Sequence, residues 1–384
     1  MKTVGIITTF RQPNFGSVLQ AFALQYVIEK MEFEVKVIDY KYPNEYHWNL
    51  GAKHGRRNIT LRSKLGDAKR KIQFLLHLRK PTKMEELNDF IRKEMKCTPF
   101  YPSRKSILEN PPIFDIYVSG SDQIWNPNTM FGDMSYMFDF APKGSRKIAY
   151  SSSFSCDNIP SKFLNIYRKY LNQFEAIGVR ETNGLALIHD ITGRNDARLV
   201  LDPTLLLTKN QWHEYALKSN KLVLPSKFIL FYMLAYTYSP EEKMCELLTF
   251  VQRRYNLPIV ALSQKPKGFQ GEYIRLEDNQ ALGIYEFLSL FEKAEMVVTS
   301  SFHGTAYSLN YGKPLLALED GKSRSDDRIS SLLNAVGLSS QLVLTDTKLA
   351  DNISPYYDKV KEQRRLVELR QDSLCFLQQS LNNN

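Results

Sequence analysis

One of the six histidines, His303, lies at a position where an imidazole can do chemistry. The run Met296-Val297-Val298-Thr299-Ser300-Ser301-Phe302-His303-Gly304 reads as a buried strand leading straight into a histidine and a glycine that opens the next helix. An imidazole exchanges a proton near neutral pH. The Ser300 and Ser301 hydroxyls and the helix N–H groups beside it suit a phosphate or a carboxylate. A lone histidine is more often a structural residue; the strand-end position and the polar surroundings favour the chemical reading here. A second polar segment, Gly120-Ser121-Asp122-Gln123-Ile124-Trp125-Asn126-Pro127, also follows an apolar run. Asp122 and Gln123 are of the types that hydrogen-bond sugar hydroxyls, and Trp125 of the type that stacks on a sugar face. A buried aspartate fixing a turn explains the same residues as well. The third segment, Thr8 to Ser17, carries Asn14, Gly16 for a tight turn and Ser17 as a helix cap. An ordinary strand-to-helix loop explains it equally, and its single glycine is not a dinucleotide fingerprint. Arg180 ends a further apolar run and is placed either to grip an anion bidentately or to pair with Glu181 or a neighbouring carboxylate. Arg328 is a similar candidate, although Asp326 and Asp327 beside it also suit a surface turn. The other histidines, His47, His54, His77, His189 and His213, fall in loops or on helical faces.

The elements that must position these residues alternate. Apolar runs at 4–10, 34–40, 113–119, 147–154, 177–180 and 198–201 read as strands, with a helix at 17–31 whose Val18, Phe22, Tyr26 and Val27 share one face. After Leu201-Asp202-Pro203 the pattern restarts, with strands at 227–235, 259–263, 296–299 and 315–318 and helices at 240–255, 284–293 and 304–310. This predicts an α/β chain of two Rossmann-like domains, 1–203 and 204–350, without a sequence repeat between them. A closing segment, 351–384, holds a helix that packs back on the body.

At 384 residues and 43% apolar, the chain is long enough for about two to three domains and a real core. A disulfide miniprotein and a disordered chain are both excluded. The four cysteines are far apart, with no Cys-x-x-Cys pair and no histidine at zinc spacing, so neither a metal site nor a disulfide frame is expected. Widely spaced cysteines fit a reducing cytosol, and the N-terminal apolar run reads as a first strand, not a signal peptide. No apolar stretch reaches the length of about 18 residues needed to cross a bilayer. The net charge of +10 is local. Between Lys41 and Lys80 there are eleven basic residues against Glu45 and Asp67, so the insert at about 41–80 carries almost all of it. Tyr42, Tyr46 and Trp48 interleave with the charge, but no nucleic-acid-binding motif appears, and nucleic acid is not an expected partner. Lys69-Arg70-Lys71-Ile72-Gln73-Phe74-Leu75-Leu76 is a basic amphipathic stretch of the kind that lies on anionic membrane surfaces.

Taken together, Asn14-Phe15-Gly16-Ser17-Val18-Leu19-Gln20, Gly120-Ser121-Asp122-Gln123-Ile124-Trp125-Asn126-Pro127, Val179-Arg180-Glu181, Leu201-Asp202-Pro203-Thr204 and Ser301-Phe302-His303-Gly304 resemble the polysaccharide pyruvyl transferase family. The resemblance runs over almost the whole chain and implies a glycosyltransferase-B-like architecture, two domains facing a cleft. It further implies transfer of the enolpyruvyl-derived group of phosphoenolpyruvate, as co-substrate and without a cofactor, onto two hydroxyls of a sugar, leaving a pyruvate ketal and phosphate. On that reading His303 is the acid/base group. Arg180, Ser300, Ser301, Phe302, Gly304 and Arg328 hold the donor from the C-terminal domain. Asn14, Gly16, Ser17, Asp122, Gln123 and Trp125 face the sugar acceptor, a surface polysaccharide or its lipid-linked precursor. Many members carry an arginine where this chain has Ser301, so Arg328 or Lys322 is expected to supply the missing charge. The expected location is cytoplasmic, with the basic stretch at 53–80 touching the inner membrane face. The same architecture also serves nucleotide-sugar glycosyltransferases, and a non-catalytic carbohydrate-binding module is the third reading.

Overall fold

A computed structural model describes residues 1–41, 81–130, 133–220, 222–235, 238–276, 282–323 and 325–382. The basic stretch at 53–80, with His47, His54 and His77, lies outside the described residues.

The first half alternates β1 (Thr3–Ile7), α1 (Phe15–Lys30), β2 (Glu34–Val37), α2 (Lys83–Glu94), β3 (Ile116–Ser119), β4 (Arg146–Ser152), α3 (Ser161–Leu171), β5 (Ala176–Val179), α4 (Thr182–Thr192) and β6 (Arg198–Leu199). Its strands form one parallel sheet in the order β2-β1-β3-β4-β5-β6, with Val4 opposite both Val35 and Ile116. The second half contains α5 (Lys209–Ala216), β7 (Ile229–Tyr232), α6 (Glu241–Tyr255), β8 (Ile259–Ala261), β9 (Tyr273–Arg275), α7 (Ile284–Lys293), β10 (Met296–Thr299), α8 (Phe302–Asn310), β11 (Leu315–Glu319), α9 (Arg328–Ala335), β12 (Leu342–Leu344) and α10 (Lys359–Asn382). Its sheet is also parallel, in the order β12-β11-β10-β7-β8-β9. Central strands such as β3, β7 and β10 are buried along their whole length, which is why they are continuous apolar runs with no alternation.

Each sheet reverses its winding once, between β1 and β3 in the first and between β7 and β10 in the second. Loops leaving the carboxyl ends of strands at such a point diverge and open a crevice. Those loops carry Thr8 to Ser17 and Gly120 to Pro127 on one side, and Leu234 and Ser300 to His303 on the other. The folding pattern alone therefore brings the three polar segments together.

The halves are welded by α1, which is buried nearly all round, unlike the one-faced helix its sequence suggests. Phe15 stacks on Phe287 of α7 at 4.7 Å between ring centroids, and Phe22 meets Tyr215 of α5 at 5.1 Å. The last helix, α10, returns to the first sheet. Phe376 reaches Tyr150 of β4, and the Arg146 guanidinium donates to the carbonyls of Ser380 and Leu381.

Candidate active site

A cavity of about 240 Å³ lies between the two sheets, lined by Thr9, Asn14, Ser17, Asp122 and Gln123 from the first half and by Ser300 to His303, Glu319, Asp326 and Arg328 from the second. Its floor is a buried charge cluster. Asp122 sits with φ at 79°, in the left-handed region that residues other than glycine rarely adopt. Its carbonyl accepts the N–H groups of Ile124 and Ser153, and this turns the carboxylate inward. There Oδ2 accepts from Ser17 Oγ at 2.7 Å and Thr9 Oγ1 at 3.1 Å, while Oδ1 lies 3.6 Å from Arg180 Nη2. Arg180 Nη1 donates to Asp202 Oδ2 at 3.0 Å, and Ser121 Oγ donates to the same oxygen at 2.7 Å. The other Asp202 oxygen takes the N–H and hydroxyl of Thr204. His303 Nε2 is 3.8 Å from Asp202 Oδ2 and has no hydrogen bond of its own among the described residues.

The electrostatics of this cluster define what it can do. Burial pushes His303 down, and the pull of Asp202 and Asp122 in the other direction does not compensate, so the imidazole is neutral at neutral pH. Burial pushes the two carboxyls up, but Arg180 and His303, with hydrogen bonds from Ser17 to Asp122 and from Ser121 to Asp202, outweigh it and hold both below the usual range. Two carboxylates and one guanidinium leave the floor one negative charge in excess. A proton taken up by His303 neutralises that excess, so the cluster suits a neutral base whose imidazolium the two carboxylates offset in part against burial. Gly16 is part of the same device: a Cβ there would stand 2.1 Å from His303 Nδ1.

Several expected roles are corrected by the geometry. Trp125 is fully buried, edge-on to Phe154 and Phe174 at 5.3 and 5.4 Å, and is a core residue with no face for a sugar. Ser17 does not cap α1; Asn14 does, its Oδ1 accepting the Gly16 N–H at 2.9 Å, while Ser17 is committed to Asp122. Of the two readings of Arg180, an anion grip or a pair with a neighbouring carboxylate, the structure shows the pair. The Arg180 side chain is 1% exposed, stacks on the Phe302 ring at 4.4 Å and is neutralised by the two aspartates, not by Glu181. Glu181 instead accepts the amides of Phe154 and Ser155.

The anion pocket is also differently made. The Gly304 N–H is taken by the capping Ser301 Oγ at 3.2 Å, and Ser300 Oγ is held between the N–H and carbonyl of Leu234. Among the described residues, the amides of Phe302 and His303 are the ones without a partner at the start of α8. Gly304 is required for space, since a Cβ would meet Thr299 Oγ1 at 2.3 Å.

Arg328 does line the cavity, but its Nε and Nη2 donate to Asp326 at 2.6 and 2.5 Å. With the Gln123 amide turned oxygen-first, that oxygen accepts from Arg328 Nη1 at 2.9 Å, so the pair spans the cleft. Lys322 is exposed and outside the cavity.

Thr9, Asp202, Glu319, Tyr238 and Asp326 are cavity or floor residues to which the sequence reading assigned no role. Thr9, Asp202 and Glu319 each stand at or just after the carboxyl end of a strand, the signal that marks His303. Glu319 ends an apolar strand with no polar run before it, whereas Thr9 and Asp202 lie inside segments already singled out.

Two facing parallel sheets whose switch points share one acid–base cavity define an enzyme of glycosyltransferase-B-like architecture. The family model described as polysaccharide pyruvyl transferase matches residues 14–321, and the chain belongs to that family. Its role is accordingly pyruvyl transfer to polysaccharide. A search of curated protein sequences returned no match. Among solved structures, a Listeria monocytogenes protein described as a UDP-N-acetylglucosamine 2-epimerase is 12% identical with a TM-score of 0.52, covering 98% of this chain and 90% of its own, and shares the fold. The UDP-GlcNAc 2-epimerase of Methanocaldococcus jannaschii aligns at 14% identity and a TM-score of 0.47, covering 96% of this chain and 92% of its own. No helix among the described residues is long and apolar enough to cross a membrane.

Proposed function

We propose that the pyruvyl donor is phosphoenolpyruvate and that the product is a cyclic pyruvate ketal on two hydroxyls of one sugar, with release of phosphate. The observation that carries this reading is His303: a neutral imidazole bordering a cavity, backed by Asp202 and Asp122, at the start of a helix with free amides. His303 takes the proton of the attacking hydroxyl. The Phe302 and His303 amides, with Arg328 beyond them, receive the donor's anionic groups. Asn14, Asp122 and Gln123, on the first-half side, face the acceptor. Arg180 acts as a positioning residue, holding both carboxylates where they stabilise the imidazolium.

The test is incubation with phosphoenolpyruvate and a galactose-containing glycan. Pyruvyl transfer releases phosphate and adds the mass of pyruvate less one water to the glycan. Transfer from a nucleotide sugar and not from phosphoenolpyruvate points to the glycosyltransferase reading, and sugar binding without turnover, unchanged in His303→Ala, points to a binding module. A lipid-linked acceptor is supported by the amphipathic basic stretch Lys69 to Leu76. Co-sedimentation with anionic vesicles that survives neutralising Lys69, Arg70 and Lys71 contradicts membrane docking by that stretch.

A further inference from the structure

Ketal formation moves more protons than one imidazole handles. Two acceptor O–H groups each lose a proton, the donor's methylene carbon gains one, and the departing phosphate takes the other. His303 holds one proton at a time, so a second group must give a proton in the first step while His303 receives one.

Glu319 is the last residue of β11, the strand beside β10, and borders the same cavity. It is 8% exposed; Oε1 accepts the Ser330 N–H at a long 3.3 Å, and the Ser330 hydroxyl also lies beside the carboxyl. Among the described residues no lysine or arginine pairs with it. The ionisable groups that face it are Asp326 and Asp327, from the segment entering α9, and Tyr238, from the connection after β7; Asp320 follows it in the chain. The Tyr238 hydroxyl donates to the Leu318 carbonyl at 3.1 Å, and the cavity-lining guanidinium of Arg328 is committed to Asp326. This is a buried carboxyl in a like-charged corner of the cavity, a setting that keeps an acid protonated.

We propose that Glu319 is the second proton-transfer group of the reaction, giving its proton to the methylene carbon of phosphoenolpyruvate and later receiving the proton of the second sugar hydroxyl. This rests on the phosphoenolpyruvate reading above. In the first step the first hydroxyl oxygen bonds to C2, its proton goes to His303, the C2–C3 double bond opens and C3 takes the Glu319 proton, becoming a methyl group. In the second step the bond from C2 to the phosphate oxygen breaks, and phosphate leaves with the proton held on His303. The second hydroxyl oxygen bonds to C2, and its proton goes to the Glu319 carboxylate. Both groups end as they began. Burial, with help from Asp326 and Asp327 and against two contacts from Ser330, pushes the Glu319 carboxyl up to about 7, in keeping with a proton donor that works at neutral pH.

The experiment compares wild type, Glu319→Gln and Glu319→Asp for acceptor-dependent phosphate release across the pH range, with thermal unfolding as the check on folding. Wild-type kcat is expected to fall on the alkaline side as Glu319 ionises. Glu319→Gln is expected to lose kcat by about 10²-fold or more with little change in the KM for phosphoenolpyruvate, and to lose that alkaline fall. Glu319→Asp should recover part of the activity. A direct readout uses an acceptor with its second hydroxyl methylated, where reversal of the first step washes solvent deuterium into the donor's methylene group; Glu319→Gln should stop the wash-in. A folded Glu319→Gln enzyme with wild-type kcat, with the alkaline fall retained, or with wash-in intact overturns the proposal. Absence of phosphate release by wild type overturns the donor reading itself, and this assignment with it.

Discussion

Gly16 sets the position of the His303 ring more tightly than any hydrogen bond, because no Cβ fits between them. Gly16→Ala adds one methyl group at the start of a helix, where alanine is the better helix former by about 1 kcal/mol. Activity is therefore expected to fall by about 10²-fold, the scale of a misplaced catalytic group, without a matching loss of stability. Steady-state kinetics alongside thermal unfolding checks this, and an enzyme that loses stability but keeps its kcat contradicts it. Arg180 makes the opposite prediction. Its removal strands the buried Asp202 and the partly buried Asp122 carboxylates, so Arg180→Ala should destabilise the fold by about 3–5 kcal/mol in denaturant titrations, in contrast to an anion grip, whose loss would raise only a KM. The sequence identifies both Arg180 and Trp125 as strand-end or loop residues of useful type. It does not reveal that the loop turns Trp125 into the core and Arg180 against Asp202, because residue type and position do not specify which way a loop side chain faces.

At the scale of elements, the central strands were legible because a strand buried on both faces has to be a continuous apolar run. The edge strands Tyr273–Arg275 and Leu342–Leu344 were not, since three residues are too short a stretch for alternation or a run to be diagnostic. The closing helix α10 runs from Lys359 to Asn382, through a polar stretch whose buried members include Ser373, Ser380 and Glu362. Glu362, in the first turn of that helix, is a buried carboxyl. Burial pushes its carboxyl up from 4.5 to about 7, against weaker pulls from Gln363 and Arg370, and Oε1 has no partner. A raised folded value means the stability it contributes is complete below pH 4.5 and is lost as pH rises through about 7. Glu362→Gln should therefore raise the Tm above pH 7 and leave it nearly unchanged below pH 4.5. A gain that is the same at both ends of the range contradicts a buried, titrating carboxyl.

Across the whole molecule, the two-sheet division was legible from the restart of the pattern after Pro203, but the weld between the sheets was not. One hydrophobic core runs from Val4 and Phe22 through Trp212 to Phe287 and Tyr307, and α10 ties the second half back to the first. Thermal unfolding should accordingly show one calorimetric transition, and two resolved transitions would contradict a shared core. The positive charge at 41–80 is a property of one insert, while the cavity is defined by loops from both sheets meeting at their switch points. The central claim is that this junction, with His303 as its base, transfers a pyruvyl group from phosphoenolpyruvate. It is tested most directly by measuring acceptor-dependent phosphate release and glycan mass together, for wild type and His303→Gln. Stoichiometric phosphate and ketal from wild type, with both reduced by about 10²-fold or more in the folded variant, is the predicted result; equal turnover by the two proteins would contradict it.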